Sequence, residues 1–561
     1  MISQEPRRRS RQLAWVILAL YLLLQLAGLK SAPLTDDDDF YIPAGTSYAA
    51  WLGGAITFRG ISKEAVDRAF EPNHEHPPLA KYVFGICHFA FRRLLGPSDA
   101  ARVGTVLFST LAAAMLLFMA LDAFGPERGL RVGGLAVLAL LTLPRFYFHS
   151  HAATLDIPVA AMMLATTLVL LRAERSTRAA IWAGPVFGLA MATKLNAPFL
   201  LVAYGVFVLL TRPPAPKRDD QPGLRLPTVP LALISMLILG PLVFWAIWPW
   251  IWFDTFARIA AYVGFHLHHY GIYFLYFGRV FVSDPFAPWH APFVMAAITT
   301  PLVTLVLAIA GVGRALRPIF ERIRRRTEAA GPERALGPER ALGDLLLIAL
   351  LNLGLHISVV AFAGTPIYGG EKLFSPFFPF LCLFAGFGAN ALVEQLEAVL
   401  PLAARPRRRV ALAIGVVLAG SGSALMLRFG GYPLSSYNGL IGGLRGATAR
   451  GFERQYYDLA FRDLSRWISE NAPPGAKVHF LPNNWEYVRT YRWYQKAGEV
   501  RPDLVVTDNE SLADWIIITH ERRFARYGDD LQRHRSSPII LEKMLDGVPI
   551  WSIVEGRRGA R

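Results

Sequence analysis

The chain has 561 residues, is 53% hydrophobic and 18% charged, and carries a formal net charge of +16. Soluble chains carry about a quarter of their residues as charges, so this composition, with a mean hydropathy of +0.34, excludes an ordinary soluble globular protein. The basic residues cluster in loops between apolar stretches, as the positive-inside rule expects, and this excludes nucleic-acid binding.

In chain order, Arg7, Arg8, Arg9 and Arg11 precede the apolar stretch Leu13–Leu29. No small-x-small cleavage site follows it, so it reads as a retained signal anchor. Spans are expected near 13–29, 100–124, 132–149, 157–172, 179–193, 197–211, 229–250, 290–313, 344–363, 373–395 and 409–428. The stretch 77–95 holds Lys81, His88, Arg92 and Arg93 and reads as an amphipathic helix on the membrane surface.

Charge tests this count. With the N-terminus cytoplasmic, eleven spans put the basic loops Arg172–Arg178, Arg212–Arg218, Arg314–Arg340 and Arg405–Arg409 inside. The same count puts Asp36–Asp39, Asp156, Lys194, residues 251–289 and the C-terminal region outside. A twelfth span at 77–95 would invert the basic loops up to residue 340.

The expected fold is a polytopic α-helical membrane protein of about eleven transmembrane helices with amphipathic juxtamembrane helices, plus a small C-terminal α/β domain. Residues 1–430 form the membrane domain and 431–561 the extracytoplasmic domain. Within the first, 31–99 is the first outer loop, 251–289 the second, and 314–343 a cytoplasmic basic loop. The repeat GPERALGPERALG within 327–343 reads as a flexible linker. In the C-terminal domain, Tyr456, Ala460, Leu464, Trp467 and Ile468 fit one helical face, ended by Pro473-Pro474-Gly475. Lys477–Leu481, Leu504–Thr507 and Trp515–Thr519 read as strands, and Asp546-Gly547 joins a hairpin of Ile539–Leu545 and Val548–Val554.

Candidate chemistry gathers on the outer side. The run Asp36–Asp39 is a solvated acidic loop or a set of carboxylates facing a metal or polar substrate. Next come His74, Glu75 and His76 before Pro77-Pro78, a set able to bind a divalent cation or to contact phosphate. Asp156 opens a span, where it can be both helix cap and functional group. Lys194, between two short spans, is a phosphate partner or a snorkelling lysine. The second outer loop holds His266, His268, His269, Tyr270 and Tyr273. Tyr368-Gly369-Gly370-Glu371-Lys372 enters the tenth span with a cation that suits a lipid phosphate. The two cysteines, Cys87 and Cys382, lie apart in apolar context, which argues against a disulfide or a Cys-based zinc site.

The order of these motifs resembles the GT-C superfamily of polyprenyl-phosphate-sugar glycosyltransferases. The pattern is a span, an acidic pair with a following Tyr, a Pro-Pro-Leu surface helix, an Asp-x-Pro opening a later span, a Thr-Lys hairpin and a cationic approach to a Pro-containing span. The protein O-mannosyltransferases and the lipid A aminoarabinose transferase are the nearest families in pattern, over roughly residues 10 to 430.

The resemblance implies an acidic pair at Asp37-Asp38 with Tyr41 in register, one carboxylate being the general base. Asp156 takes the second acidic position. His76, Lys194 and Lys372 take positions associated with the donor phosphate, and Glu75, with His74, the position that can contact a metal. Tyr41, His266, His269 and Tyr270 are the expected acceptor or donor loop contacts. Phe40 departs from the aminoarabinose transferase, which has Arg there, and argues against that substrate pair.

The implied function is inverting transfer of a sugar from a polyprenyl-phosphate donor to a hydroxyl acceptor on protein, lipid or glycan. The implied setting is a bacterial inner membrane, with membrane lipids as partners and a divalent cation as the one cofactor to test. The competing readings are a secondary transporter or lipid flippase, and an assembly subunit whose acidic run is only solvated. Transporters usually place ionisable groups near the bilayer midplane in repeated halves, whereas here they gather at one interface.

Overall fold

The computed structural model describes residues 4–57, 60–214, 226–268, 271–282, 285–325, 337–362, 364–365, 367–399, 404–457, 459–482 and 484–556. Among these, seven helices are long and apolar enough to cross a membrane: Glu5–Ser31, Pro97–Phe124, Asp156–Ala173, Leu302–Arg324, Pro338–Ala361, Phe377–Val399 and Arg409–Phe429. Phe199–Thr211 and Leu231–Ile247 are shorter apolar helices. This is a multi-pass membrane protein, since in hydrocarbon a helix is the structure that satisfies its own backbone.

Each expected span falls on helix, with differences that prolines explain. The stretch 132–149 is two helices, Pro126–Leu141 and Pro144–His149. The stretch 290–313 is also two, Ala291–Thr299 and Leu302–Arg324, broken before Pro301. Proline has no N–H to donate and its ring clashes with the preceding turn, so it suits the start of a helix better than its interior. The expected basic loop 314–343 is helical as far as Arg324 and again from Pro338, while 326–336 lies outside the described residues.

The helices sort their ends consistently. The first helix begins near Arg7 and ends beside Leu29–Ser31, which leads to the acidic run. Pro97–Phe124 returns from that side, and Asp156–Ala173 begins there again. The bundle therefore has an acidic-run end and an opposite end rich in arginine.

At the first end the outer loop is largely helical. Asp36–Asp39 is the first turn of a helix, Asp36–Ala55, rather than a loop. Thr35 caps it: its hydroxyl accepts from the Asp38 amide, and the Asp38 carboxylate accepts from the Thr35 amide in return. Acidic residues at a helix start are stabilised by the backbone dipoles. The amphipathic stretch forms the helix Leu79–Leu95, which exposes Ile86, Phe89, Phe91 and Leu94. It lies against Asp36–Ala55 through two glycines, since a Cβ on Gly85 would meet the Gly45 carbonyl oxygen at 1.9 Å.

The C-terminal region builds a five-stranded sheet in the order Val505–Val506, Lys477–Leu481, Trp515–Ile518, Val548–Glu555, Ile539–Leu545. The first two pairings are parallel and the last two antiparallel. Asp546 and Gly547 have φ of 51° and 73°, the left-handed pair that a tight hairpin turn needs.

Two elements differ from the sequence reading. The expected helix from Tyr456 starts only at Arg462, because Leu459–Ala460 pairs as a strand with Leu34–Thr35. A second helix, Asn484–Lys496, lies against the acidic helix.

Candidate active site

The helical repeat splits the acidic turn into three surroundings. Asp37 and Tyr41, four apart, share one face, while Asp36, Asp39 and Phe40 share another. Asp38 points into the protein.

Asp38 is saturated. Its carboxylate accepts from Arg102 Nε at 3.0 Å and a terminal Arg102 nitrogen at 2.6 Å, from the Ala153 amide at 2.8 Å, and from the amide and hydroxyl of Thr35, both at 2.8 Å. Burial opposes its charge, but Arg102 and these bonds outweigh burial and hold the carboxyl below its usual range. Arg102 is equally occupied, donating also to the carbonyls of Ala32 and Pro33. Asp38 therefore stands as a structural anchor, with no lone pair left over for an incoming hydroxyl proton.

Asp37 is different. Its Oδ2 lies 2.6 Å from Lys372 Nζ, and the side chains keep 12% and 10% exposure, against 2% and 0% for Asp38 and Arg102. Lys372 Nζ also donates to the Tyr457 hydroxyl at 3.1 Å and sits 4.8 Å from that ring's centre. Tyr457 in turn hydrogen-bonds Asp37. Burial, then the Asp37 charge, raise the phenol far above its ordinary range, so it stays protonated as a donor. Burial works against the Lys372 ammonium, yet Asp37 and Asp156 raise its pKa above the ordinary lysine value.

A second pair stands beside the first. Lys194 Nζ lies 2.6 Å from Asp156 Oδ1, and Asp156 Oδ2 has no hydrogen-bond partner among the described residues. Asp156 is the first residue of its helix, and no side-chain cap bond forms there, so capping does not account for it. Tyr41 is buried, and the charges of Asp37 and Asp156 reach it together with the Tyr368 ring.

His76 closes one side of this cluster. Its ring meets Tyr41 edge-on at 5.9 Å, Phe265 at 5.8 Å and His266 at 5.1 Å. Burial, then the neighbouring His266 and three lysines, push the imidazole pKa well below its ordinary value. A neutral His76 offers phosphate a hydrogen bond but no charge. Lys81, fully buried, fixes the preceding loop by donating to the carbonyls of Asn73 at 2.6 Å and His76 at 2.7 Å.

His74 and Glu75 do not complete a metal site. His74 stacks on Trp250 at 4.7 Å with Nδ1 3.2 Å from the Glu71 carbonyl, and Glu75 accepts from Asn73 at 2.8 Å. No group of three His, Cys, Asp or Glu side chains able to hold a metal occurs among the described residues. The donor set expected from the sequence is thus not assembled, because an aromatic platform has taken one of its members. His269 and Tyr270 lie outside the described residues.

Several residues that sequence reasoning missed complete the surroundings. Arg145 pairs with Glu371 at 2.8 Å, both buried, and its guanidinium lies 4.6 Å from the Tyr437 ring centre. This pair sits directly before Lys372. His149 is buried with its ring 5.9 Å from that of Tyr457, and neither of its nitrogens has a hydrogen-bond partner among the described residues. From the C-terminal region, Arg489 binds Asp36 at 2.6 Å and Asp39 at 2.5 Å, and Trp493 donates to Asp39. Only the Glu371-Lys372 pair carried a local signal, as buried charges entering an apolar span.

Residues 75–245 match the family model described as dolichyl-phosphate-mannose-protein mannosyltransferase. That stretch includes Glu75, His76, Asp156 and Lys194 but not Asp37, Lys372 or Tyr457. The chain is similar to ArnT from Cupriavidus metallidurans, solved bound to undecaprenyl phosphate, at 15% identity over 96% of this chain and 97% of that one, with a TM-score of 0.48. It is also similar to the Archaeoglobus fulgidus oligosaccharyltransferase tethered with an acceptor peptide, at 12% identity over 90% of this chain and 68% of that one, with a TM-score of 0.44. A third similarity is to the arabinofuranosyltransferase AftD from Mycobacteria, at 13% identity over 97% of this chain and 41% of that one, with a TM-score of 0.40. No curated protein matches the chain.

Proposed function

We propose that this chain is a membrane glycosyltransferase that moves a sugar from a polyprenyl-phosphate donor to a hydroxyl acceptor, with Asp37 as general base. The observation that carries the reading is the pair of neighbouring carboxylate–lysine contacts, Asp37–Lys372 and Asp156–Lys194, each 2.6 Å long, at the membrane-boundary end of the bundle. The family match over residues 75–245 supports the reaction class.

The chemistry follows from exchange of partners. A donor phosphate competes with Asp37 for Lys372, and its arrival frees the carboxylate. The acceptor oxygen then attacks the anomeric carbon as the bond from that carbon to the phosphate oxygen breaks, inverting the centre. The hydroxyl proton passes to Asp37. Lys372 and Lys194 hold the charge left on the departing phosphate, an arrangement that favours the transition state over the bound substrate. Tyr457 keeps Asp37 and Lys372 in register. Asp156 orients Lys194.

General-base help is worth roughly 10²–10⁴-fold. We expect Asp37→Asn to lose transfer by that order while remaining in the membrane, measured with labelled polyprenyl-phosphate sugars and a mixed hydroxyl-acceptor pool. Unchanged transfer by this variant would sink the base assignment. Wild-type protein that transfers no sugar from any such donor would remove the transferase reading itself.

A further inference from the structure

The end of the bundle away from this site holds a cavity of about 480 Å³ between the ends of five helices. It is lined by Arg7, Arg11, Arg172 and Arg175 against Asp122 and Asp344, over an apolar floor that includes Met119 and Leu168. Both carboxylates are already engaged. Asp122 accepts from Arg172 at 2.8 Å, and Asp344 is held by Arg322 at 2.5 Å, a residue outside the lining. Among the described residues, Arg7, Arg11 and Arg175 have no carboxylate within ion-pair distance.

Two helix N-termini add to this charge. Pro126–Leu141 and Pro338–Ala361 both begin at the cavity, each with proline at the first position. Their leading backbone N–H groups lack intrahelical partners and favour an anion. The position selects the kind of anion. Arg7 and Arg11 precede the apolar stretch of the first helix, and Arg172 closes that of Asp156–Ala173, so the charges ring the membrane boundary with hydrocarbon-like residues beneath.

We propose that this cavity binds the phosphate of an anionic glycerophospholipid, with the arginines on the headgroup and the apolar floor under the upper acyl carbons. Basic pockets between transmembrane helices suit such headgroups. The site is separate from the transfer chemistry and does not depend on the function proposed above.

The test uses the full chain, purified with neutral phosphatidylcholine and then offered phosphatidylglycerol in mixed nanodiscs. Lipid retention is read by native mass spectrometry. Each arginine near an anionic surface is worth about fivefold in affinity. The triple variant Arg7→Gln, Arg11→Gln, Arg175→Gln is expected to lose phosphatidylglycerol retention by about a hundredfold on that scale. The single variant Arg175→Gln, which leaves the first helix untouched, is expected to lose about fivefold and serves if the triple variant folds poorly.

The control is Arg8→Gln with Arg9→Gln, two neighbouring arginines that do not line the cavity, and it is expected to retain the lipid. Equal loss in control and test variants overturns the site in favour of diffuse surface attraction. Unchanged retention in Arg175→Gln and the triple variant overturns it outright. Labelled inorganic phosphate supplies the other arm. Saturable binding of phosphate that displaces no phosphatidylglycerol from wild type overturns the lipid as occupant.

Discussion

Two kinds of buried ion pair surround the first turn of the acidic helix, and they differ in what they leave available. On one side stand the arginine pairs, Asp38 with Arg102 and Glu371 with Arg145. On the other stand the lysine pairs, Asp37 with Lys372 and Asp156 with Lys194. The Asp38–Arg102 pair is bidentate and saturated by backbone groups, so it has nothing to offer a substrate. The lysine pairs make one carboxylate contact each and keep some exposure. An ammonium is a compact point charge that can swing from carboxylate to phosphate, whereas a guanidinium locked into a fork gives up several hydrogen bonds to move. Adjacent aspartates thus divide into one saturated by buried partners and one held by a lysine and a tyrosine hydroxyl.

The sharpest way to break this contrast is to remove the structural arginine. Taking one partner from a buried pair leaves an uncompensated charge and costs about 3–5 kcal/mol. Arg102→Gln should therefore lower the thermal midpoint and the yield of folded protein in detergent before any question of activity arises. Asp37→Asn should cost less, since Lys372 keeps the Tyr457 hydroxyl and some exposure to water. If the two variants melted alike, the division between arginine and lysine pairs would not hold.

The next test uses pH. The folded pKa of Lys372 lies above its ordinary value of about 10.4. Its charge-linked stability is therefore fully present below that ordinary value and is lost as pH rises through the folded one. In Asp37→Asn the raising charge of Asp37 is gone while burial, which lowers the pKa, remains. The alkaline fall in thermal stability should then begin at lower pH than in wild type. A melting series above pH 8 reads this shift, and coincident alkaline limbs would show that Asp37 does not support the lysine.

How much of this was legible beforehand follows the range of each interaction. The C-terminal hairpin and strand Lys477–Leu481 are written in local periodicity and turn residues and fall where the sequence places them. Of the eleven expected spans, 132–149 and 290–313 each divide at proline, and seven described helices are long enough to cross a membrane. Asp156, Lys194 and Lys372 were visible because charge beside apolar spans is costly and conspicuous. What could not be read was pairing across the chain. Arg102 lies 64 residues from Asp38, Arg145 lies 226 from Glu371, and Arg489 lies 453 from Asp36. No periodicity records such distances. The choice between Asp37 and Asp38 was open for the same reason, since a run of four acids has no preferred register until Arg102 selects one member.

The smallest effects probe how the C-terminal region serves the site. Tyr457 reaches the Asp37–Lys372 pair with one hydroxyl, and a hydrogen bond to a charged group is worth about 1.5–3 kcal/mol. Tyr457→Phe keeps the ring beneath the ammonium and removes only the hydroxyl, so transfer should fall about tenfold or more with the alkaline limb of Lys372 nearly unmoved. Arg489→Gln removes a partly exposed pair with Asp36 and Asp39, where solvent screening leaves roughly 1 kcal/mol. It should loosen Asn484–Lys496 against the acidic helix, read as faster amide exchange in that helix, while transfer changes less than in Tyr457→Phe. The order matters more than either value. A larger activity loss in Arg489→Gln would mean that the outer face of the acidic helix also meets substrate, and the boundary between the building and acting faces of that helix would have to move outward to Asp36 and Asp39.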